Sequence, residues 1–110
     1  MSIRKKLAAG EFLTLVELEP PKGIKVAPFL ENAARVKGRV DAFVVPEMAN
    51  AVMKISSLGG CMLLKNKGME PVLQCCCRDR NRLALQADLL AAAAMGIDAV
   101  MAVEGEAPSF

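Results

Sequence analysis

Apolar and polar positions fall into blocks along the chain. Four short runs rich in β-branched and other apolar residues stand out: Phe12 to Leu18, Ala42 to Val45, Pro71 to Cys77, and Ala99 to Val103. Each begins about 30 residues after the last, the spacing of successive strand–helix units. The segments between them carry helical period. The first helix opens at Pro28, aligns Phe29, Ala33 and Val36 beside Leu30, Ala34 and Lys37, and stops at Gly38. The second is expected over roughly Ala49 to Lys67, with Val52, Ile55, Leu58, Met62 and Leu63 apolar and Gly68 as its C-terminal stop. Gly59-Gly60 inside it weakens an unbroken helix. The third takes Asp79 or Asn81 as N-cap, keeps Leu83, Ala87, Leu90 and Ala94 on one stripe, and closes at Gly96. Ser2 to Ala9 is expected to form a short leading helix.

Strand and helix therefore alternate, and the sequence ends shortly after the fourth strand. The strands read as nearly continuous apolar runs, as a parallel sheet covered on both faces requires. A doubly wound dinucleotide fold needs G-x-G-x-x-G after its first strand, whereas here Glu19-Pro20-Pro21-Lys22-Gly23 follows. The expected class is accordingly α/β, the N-terminal half of a (β/α)8 TIM barrel, with residues 1–110 a single partial domain. A whole barrel takes about 250 residues. An isolated half leaves two strand edges unpaired, so a fragment of a longer enzyme is expected.

Charge and composition narrow the partners. The 110 residues carry 14 Lys plus Arg against 12 Asp plus Glu, a net +2 with both signs interspersed, which gives no basic patch for nucleic acid and no charged face for a membrane. At 54% hydrophobic and 24% charged the chain forms a core, yet no apolar run approaches the ~18 residues of a membrane span. Lys5-Lys6 is followed by Leu7-Ala8-Ala9-Gly10-Glu11, which is no signal-peptide core, so a cytoplasmic location is expected. Three of the four cysteines are consecutive (Cys75, Cys76, Cys77) and cannot build a spaced disulfide framework. With no histidine and no C-x-x-C, buried apolar thiols are favoured over a metal or redox site.

Several residues could carry chemistry. Strand alternation places Leu13, Leu15, Glu17 and Glu19 on one face. If that face is the barrel interior, Glu17 lies near the strand's C-terminal end, where barrel enzymes keep catalytic groups, and desolvation makes it a general acid; the other reading is a solvated or ion-paired strand end. The third strand runs into Arg78-Asp79-Arg80-Asn81-Arg82 at a helix N-terminus, which suits a phosphate, a carboxylate or a polar heterocycle, or simply caps the helix in water. The fourth ends in Glu104-Gly105-Glu106, where Gly105 permits close approach and Glu106 either accepts hydrogen bonds from a heterocycle or stands in solvent.

With Glu17-Leu18-Glu19-Pro20-Pro21-Lys22, Cys77-Arg78-Asp79-Arg80-Asn81-Arg82 and Gly105-Glu106 in that order, nearly the whole chain resembles the methylenetetrahydrofolate reductase family, especially its short bacterial form. The resemblance implies an FAD-containing barrel, with FMN as the alternative flavin, that reduces 5,10-methylenetetrahydrofolate to 5-methyltetrahydrofolate using NAD(P)H or another electron donor. It implies that Glu17 protonates the folate N10, opening the ring to an iminium for hydride attack, and that Glu106 supports it beside flavin and folate. It also implies Pro46, Gln74 and Cys76 at flavin-lining strand ends, Asp79 and Arg80 in a loop near the ligand, and Glu104 beside the cofactor. A folate substrate is implied, with a homo-oligomer or partner subunit left open.

The chain departs from the family pattern at four positions. Many members have His in place of Gln74, Thr in place of Cys76, Asp in place of Glu106, and Arg or Thr in place of Glu104. An extra negative charge near a flavin disfavours its anionic reduced ring, which points to altered flavin affinity or a different substrate. The rival reading is a non-catalytic relative, a pterin- or partner-binding module in a one-carbon or corrinoid complex.

Overall fold

The computed structural model describes residues 3–78 and 80–105. Its elements follow in the order α1 (Ile3–Ala8), β1 (Leu15–Glu17), α2 (Ala27–Val36), β2 (Ala42–Val45), a 3-10 turn (Ala49–Ala51), α3 (Ser57–Asn66), β3 (Pro71–Cys76), α4 (Arg82–Ala94) and β4 (Val100–Val103). All four strands are parallel and lie in the order β1-β2-β3-β4. The two faces are distinct. Phe43, Val45, Leu73 and Cys75 pack with Phe29 and Ala33 of α2, Cys61 and Leu64 of α3, and Ala92 of α4 in one cluster. Ala42, Val44 and Val72 face the other way, against Ile3 of α1. Strands added in chain order with every connecting helix on one face are half of a TIM barrel; a doubly wound sheet reverses direction and covers both faces with crossover helices.

The second face is therefore the inward one. Lys6 pairs with the Asp41 carboxylate just ahead of β2, which seats α1 at the N-terminal ends of the strands. Asp41 also accepts the Thr14 N–H at 2.7 Å and donates its own N–H to the Thr14 carbonyl at 2.8 Å. That exchange takes up the backbone ahead of Leu15, so β1 is shorter than the expected Phe12 to Leu18, and Phe12 is 90% exposed. The Lys6 hydrogen bond, then the one from Thr14, hold the Asp41 carboxyl below its ordinary value.

Two helices differ from expectation. α3 begins at Ser57, not Ala49, because Ser56 caps it by accepting the Gly59 N–H at 3.2 Å, while Ile55 donates to the Pro21 carbonyl at 2.9 Å and holds residues 52–56 across the β1–α2 loop. Met48 (φ 47°) and Ala51 (φ 58°) turn the preceding backbone through the left-handed region. The double glycine falls within the first two turns, and Gly60 has a packing reason: a Cβ there would stand 2.7 Å from Val45 Cγ1. In α4, capped by Asn81 through the Ala84 N–H at 2.9 Å, the expected stripe faces outward, with Leu83 75% and Leu90 73% exposed. Leu85, Ala92 and Met95 make the packed face instead. The helix is apolar on both sides, and Asp88, on the side that packs, pairs with Arg80. No helix among the described residues is long and apolar enough to cross a membrane.

Candidate active site at the C-terminal ends of the strands

Parallel strands bring all their C-terminal ends to one rim, and on that rim lies a cavity of about 320 Å³. It draws on every strand end: Glu17 and Glu19 from β1 and its continuation, Pro46 to Ala49 after β2, Gln74, Cys76 and Arg78 from β3, and Val103 and Gly105 from β4. The pairing registers explain the convergence. Glu17 sits beside Val44 and Cys76 beside Val103, so alternation points Glu17, Cys76 and Val103 to the inward face with Val44. Gly105 adopts φ 83°, and a Cβ there would come within 2.7 Å of Cys76 Sγ; the bare glycine lets the end of β4 lie against β3.

The carboxylates on this rim are in different states. Glu47 is only 7% exposed and fully committed: Oε2 accepts the Cys76 N–H at 2.9 Å, and Oε1 accepts Arg80 Nε–H at 2.7 Å. Arg80 extends the pair to Asp88 on α4. Burial works against the guanidinium charge, but the Glu47 hydrogen bond and the charges of Glu47 and Asp88 outweigh it and hold the Arg80 pKa above its ordinary value. Glu19 is neutralised by Lys54. Glu17 has no ionic partner among the described residues.

Glu17 is exposed, which corrects one expectation. β1 is an edge strand with β2 alone beside it among the described residues, so those residues do not supply the burial expected of a barrel interior. Of the other expected site residues, Pro46, Gln74 and Cys76 line the cavity with Glu17. Arg80 does not; its guanidinium is taken up by Glu47 and Asp88, and it borders a neighbouring cavity of about 270 Å³. Glu104 is exposed and does not line the cavity, as follows from its place next to inward-facing Val103. Asp79 and Glu106 lie outside the described residues. Glu47 is a site residue that strand alternation does not single out; its place two residues past the C-terminal end of β2, on the same rim as Glu17, is the signal the sequence offers.

The three consecutive thiols point to three places: Cys75 into the helix-covered core, Cys76 to the cavity, Cys77 to solvent. Burial pushes the Cys61 thiol up to about 12 and the Cys75 thiol upward too, so these core thiols are protonated and inert at neutral pH.

A half-barrel with its polar residues gathered at the C-terminal strand ends has the layout of a TIM-barrel enzyme. The chain belongs to the methylenetetrahydrofolate reductase family: residues 2–109 match the profile described as "Methylenetetrahydrofolate reductase". That family is a TIM-barrel family of oxidoreductases in one-carbon metabolism. No curated protein matches the chain.

Proposed function

We propose that this chain forms the first half of a flavin-dependent reductase that converts 5,10-methylenetetrahydrofolate to 5-methyltetrahydrofolate, drawing electrons from NAD(P)H or another donor. The remaining ligand contacts then come from the other half of the barrel. The observation that carries the reading is the sorting of carboxylates on the rim: Glu19 and Glu47 are neutralised, and Glu17 alone of the three has no ionic partner among the described residues. An acid that must exchange a proton with substrate needs that freedom.

The residues present suit FAD or FMN. A flat heterocycle with a polar rim needs apolar walls and a few convergent polar groups, and Pro46, Met48 and Val103 provide the first while Gln74 and Glu17 provide the second. When bound, the flavin supplies the hydride. Glu17 holds the proton that the folate N10 takes up as its bond to the one-carbon unit breaks. The loops around it are tied down: Lys54 links the β2–α3 loop to Glu19, and Arg78 Nη2 donates to the Met48 carbonyl at 3.2 Å. Asp79 and Glu106 remain in this proposal as ligand-side residues, and a cytoplasmic location goes with it.

The test is the visible spectrum of the purified intact protein together with its turnover of methylenetetrahydrofolate. Flavin absorbance and substrate-dependent formation of the methyl product support the proposal. A colourless protein without reductase activity overturns it in favour of a pterin- or partner-binding module.

A further inference from the structure

The side chain of Gln74 lines the cavity, and one of its two ends is already in use. Its Oε1 accepts the backbone N–H of Glu47 at 3.0 Å. A backbone N–H is a donor only; unlike a hydroxyl or an imidazole it cannot reverse its polarity to suit a flipped amide. Turning the Gln74 amide over would set N–H2 against N–H and leave both unsatisfied. With one lone pair of the oxygen engaged and the amide's orientation thereby fixed, the end of Gln74 left wholly open to a ligand is its pair of N–H donors.

The Glu47 backbone is itself held from several sides. Its carboxylate takes the Cys76 N–H and the Arg80 guanidinium, and Arg80 is anchored on Asp88 of α4. The next residue, Met48, is turned left-handed and has its carbonyl bonded by Arg78. On the strand side, the Gln74 N–H donates to Ser57 Oγ at 3.0 Å, and Ser57 Oγ–H donates to the Val45 carbonyl at 2.6 Å. The ends of β2 and β3 and the starts of α3 and α4 are thus keyed together around one amide.

From this arrangement we infer that Gln74 is a polarity-selecting residue: it recognises an acceptor edge of the bound heterocycle, a ring nitrogen or carbonyl oxygen, and Glu47, clamped by Arg80 and Asp88, is the positioning residue that fixes it as a donor. The inference rests on the flavin reading above, whose pyrimidine edge is rich in such acceptors. It assigns Glu47, Arg80 and Asp88 a role in ligand selection that acts through the orientation of Gln74.

The experiment is titration of the intact protein, stripped of flavin, with FAD, followed by fluorescence and by the visible spectrum. Gln74→Glu keeps an oxygen for the Glu47 N–H but turns the ligand-facing group into an acceptor. FAD affinity should fall about tenfold or more, and the reduction potential of bound FAD should become more negative. Gln74→Met removes the donor without adding charge and decides the matter if the first variant fails to fold: about a tenfold loss of affinity supports the inference, and unchanged affinity overturns it. Glu47→Gln supplies the readout that a merely structural role would not move. It should weaken FAD binding in the presence of Gln74 and have little further effect in the Gln74→Met background; equal losses in both backgrounds overturn the positioning role. If the unsubstituted protein binds FAD and Gln74→Glu binds it equally well, the inference fails and the flavin reading stands. If the unsubstituted protein binds no FAD, both fall together.

Discussion

The two ends of the sheet treat their acidic residues differently. At the N-terminal end, Asp41 docks α1 by taking Lys6 and the Thr14 N–H, and Glu70 and Asp98 stand close enough to interact, with the Lys65 charge moderating them. Burial first, then the Asp98 charge, push the Glu70 carboxyl above its ordinary value. Both arrangements serve attachment or are tolerated beside solvent. At the C-terminal end, Glu47 is buried with each carboxylate oxygen bonded, Glu19 is paired, and Glu17 is left over. The first end holds the half-barrel together; the second fixes a geometry around one carboxylate that retains its freedom. This is the division between a stabilising and a reactive face that TIM barrels show in general.

The comparison can be broken most sharply at Glu47. Glu47→Leu leaves the Arg80 charge without its buried partner and the Cys76 N–H without an acceptor, and should cost about 3–5 kcal/mol in urea unfolding. A loss under about 1 kcal/mol would mean that the C-terminal end is no more tightly built than a surface ion pair.

A smaller loss is expected one layer out. Gly60→Ala forces α3 away from Val45, and with it Ser57, which bridges the Val45 carbonyl and the Gln74 N–H. Overpacking of this kind costs about 1–3 kcal/mol. A lowered melting temperature with a parallel loss of FAD affinity is the expected pair of results, since the same shift disturbs the strand end that carries Gln74.

How much of this was legible in the sequence depends on the range of the interaction involved. Four strands, their order and the alternation that turns Glu17 inward follow from local periodicity, and all are present. The packed face of α4 was not readable, because Leu83-Ala87-Leu90-Ala94 and Leu85-Ala92-Met95 are both apolar and Asp88, on the side that packs, meets its partner Arg80 only in the folded chain. The start of α3 was hidden for a similar reason: Ile55 is drawn to Pro21, a contact between loops far apart in the chain. Glu47 stands 33 residues from Arg80 and 29 from Cys76, so nothing in its neighbourhood announces that its charge is matched. The exposure of Glu17 is a property of edge strand β1, which alternation does not reveal.

The smallest predicted effect belongs to the N-terminal end and has the opposite sign. Because the folded-state pKa of Glu70 is raised, folding favours its protonated form, and the ionised form carries a penalty at neutral pH. Glu70→Gln should remove that penalty and stabilise the chain by about half a kcal/mol at pH 7. The gain is full above the raised pKa and shrinks as pH falls through it, vanishing below the ordinary value of 4.5, where Glu70 is protonated in folded and unfolded chains alike. Urea unfolding at pH 7 and at about pH 3.5 separates the two regimes, and a gain that persists in acid would rule out this origin.

The central claim is that Glu17 is the proton donor for folate reduction, and stopped-flow separation of the two half-reactions in Glu17→Gln of the intact protein tests it most directly. The substitution keeps the shape of the side chain and removes the proton. Reduction of the bound flavin by NAD(P)H should continue at the unsubstituted rate, while reoxidation by methylenetetrahydrofolate should slow by about 10²–10⁴-fold. Reoxidation at the unsubstituted rate would contradict the assignment and leave Glu17 as a solvated carboxylate on the edge of the sheet.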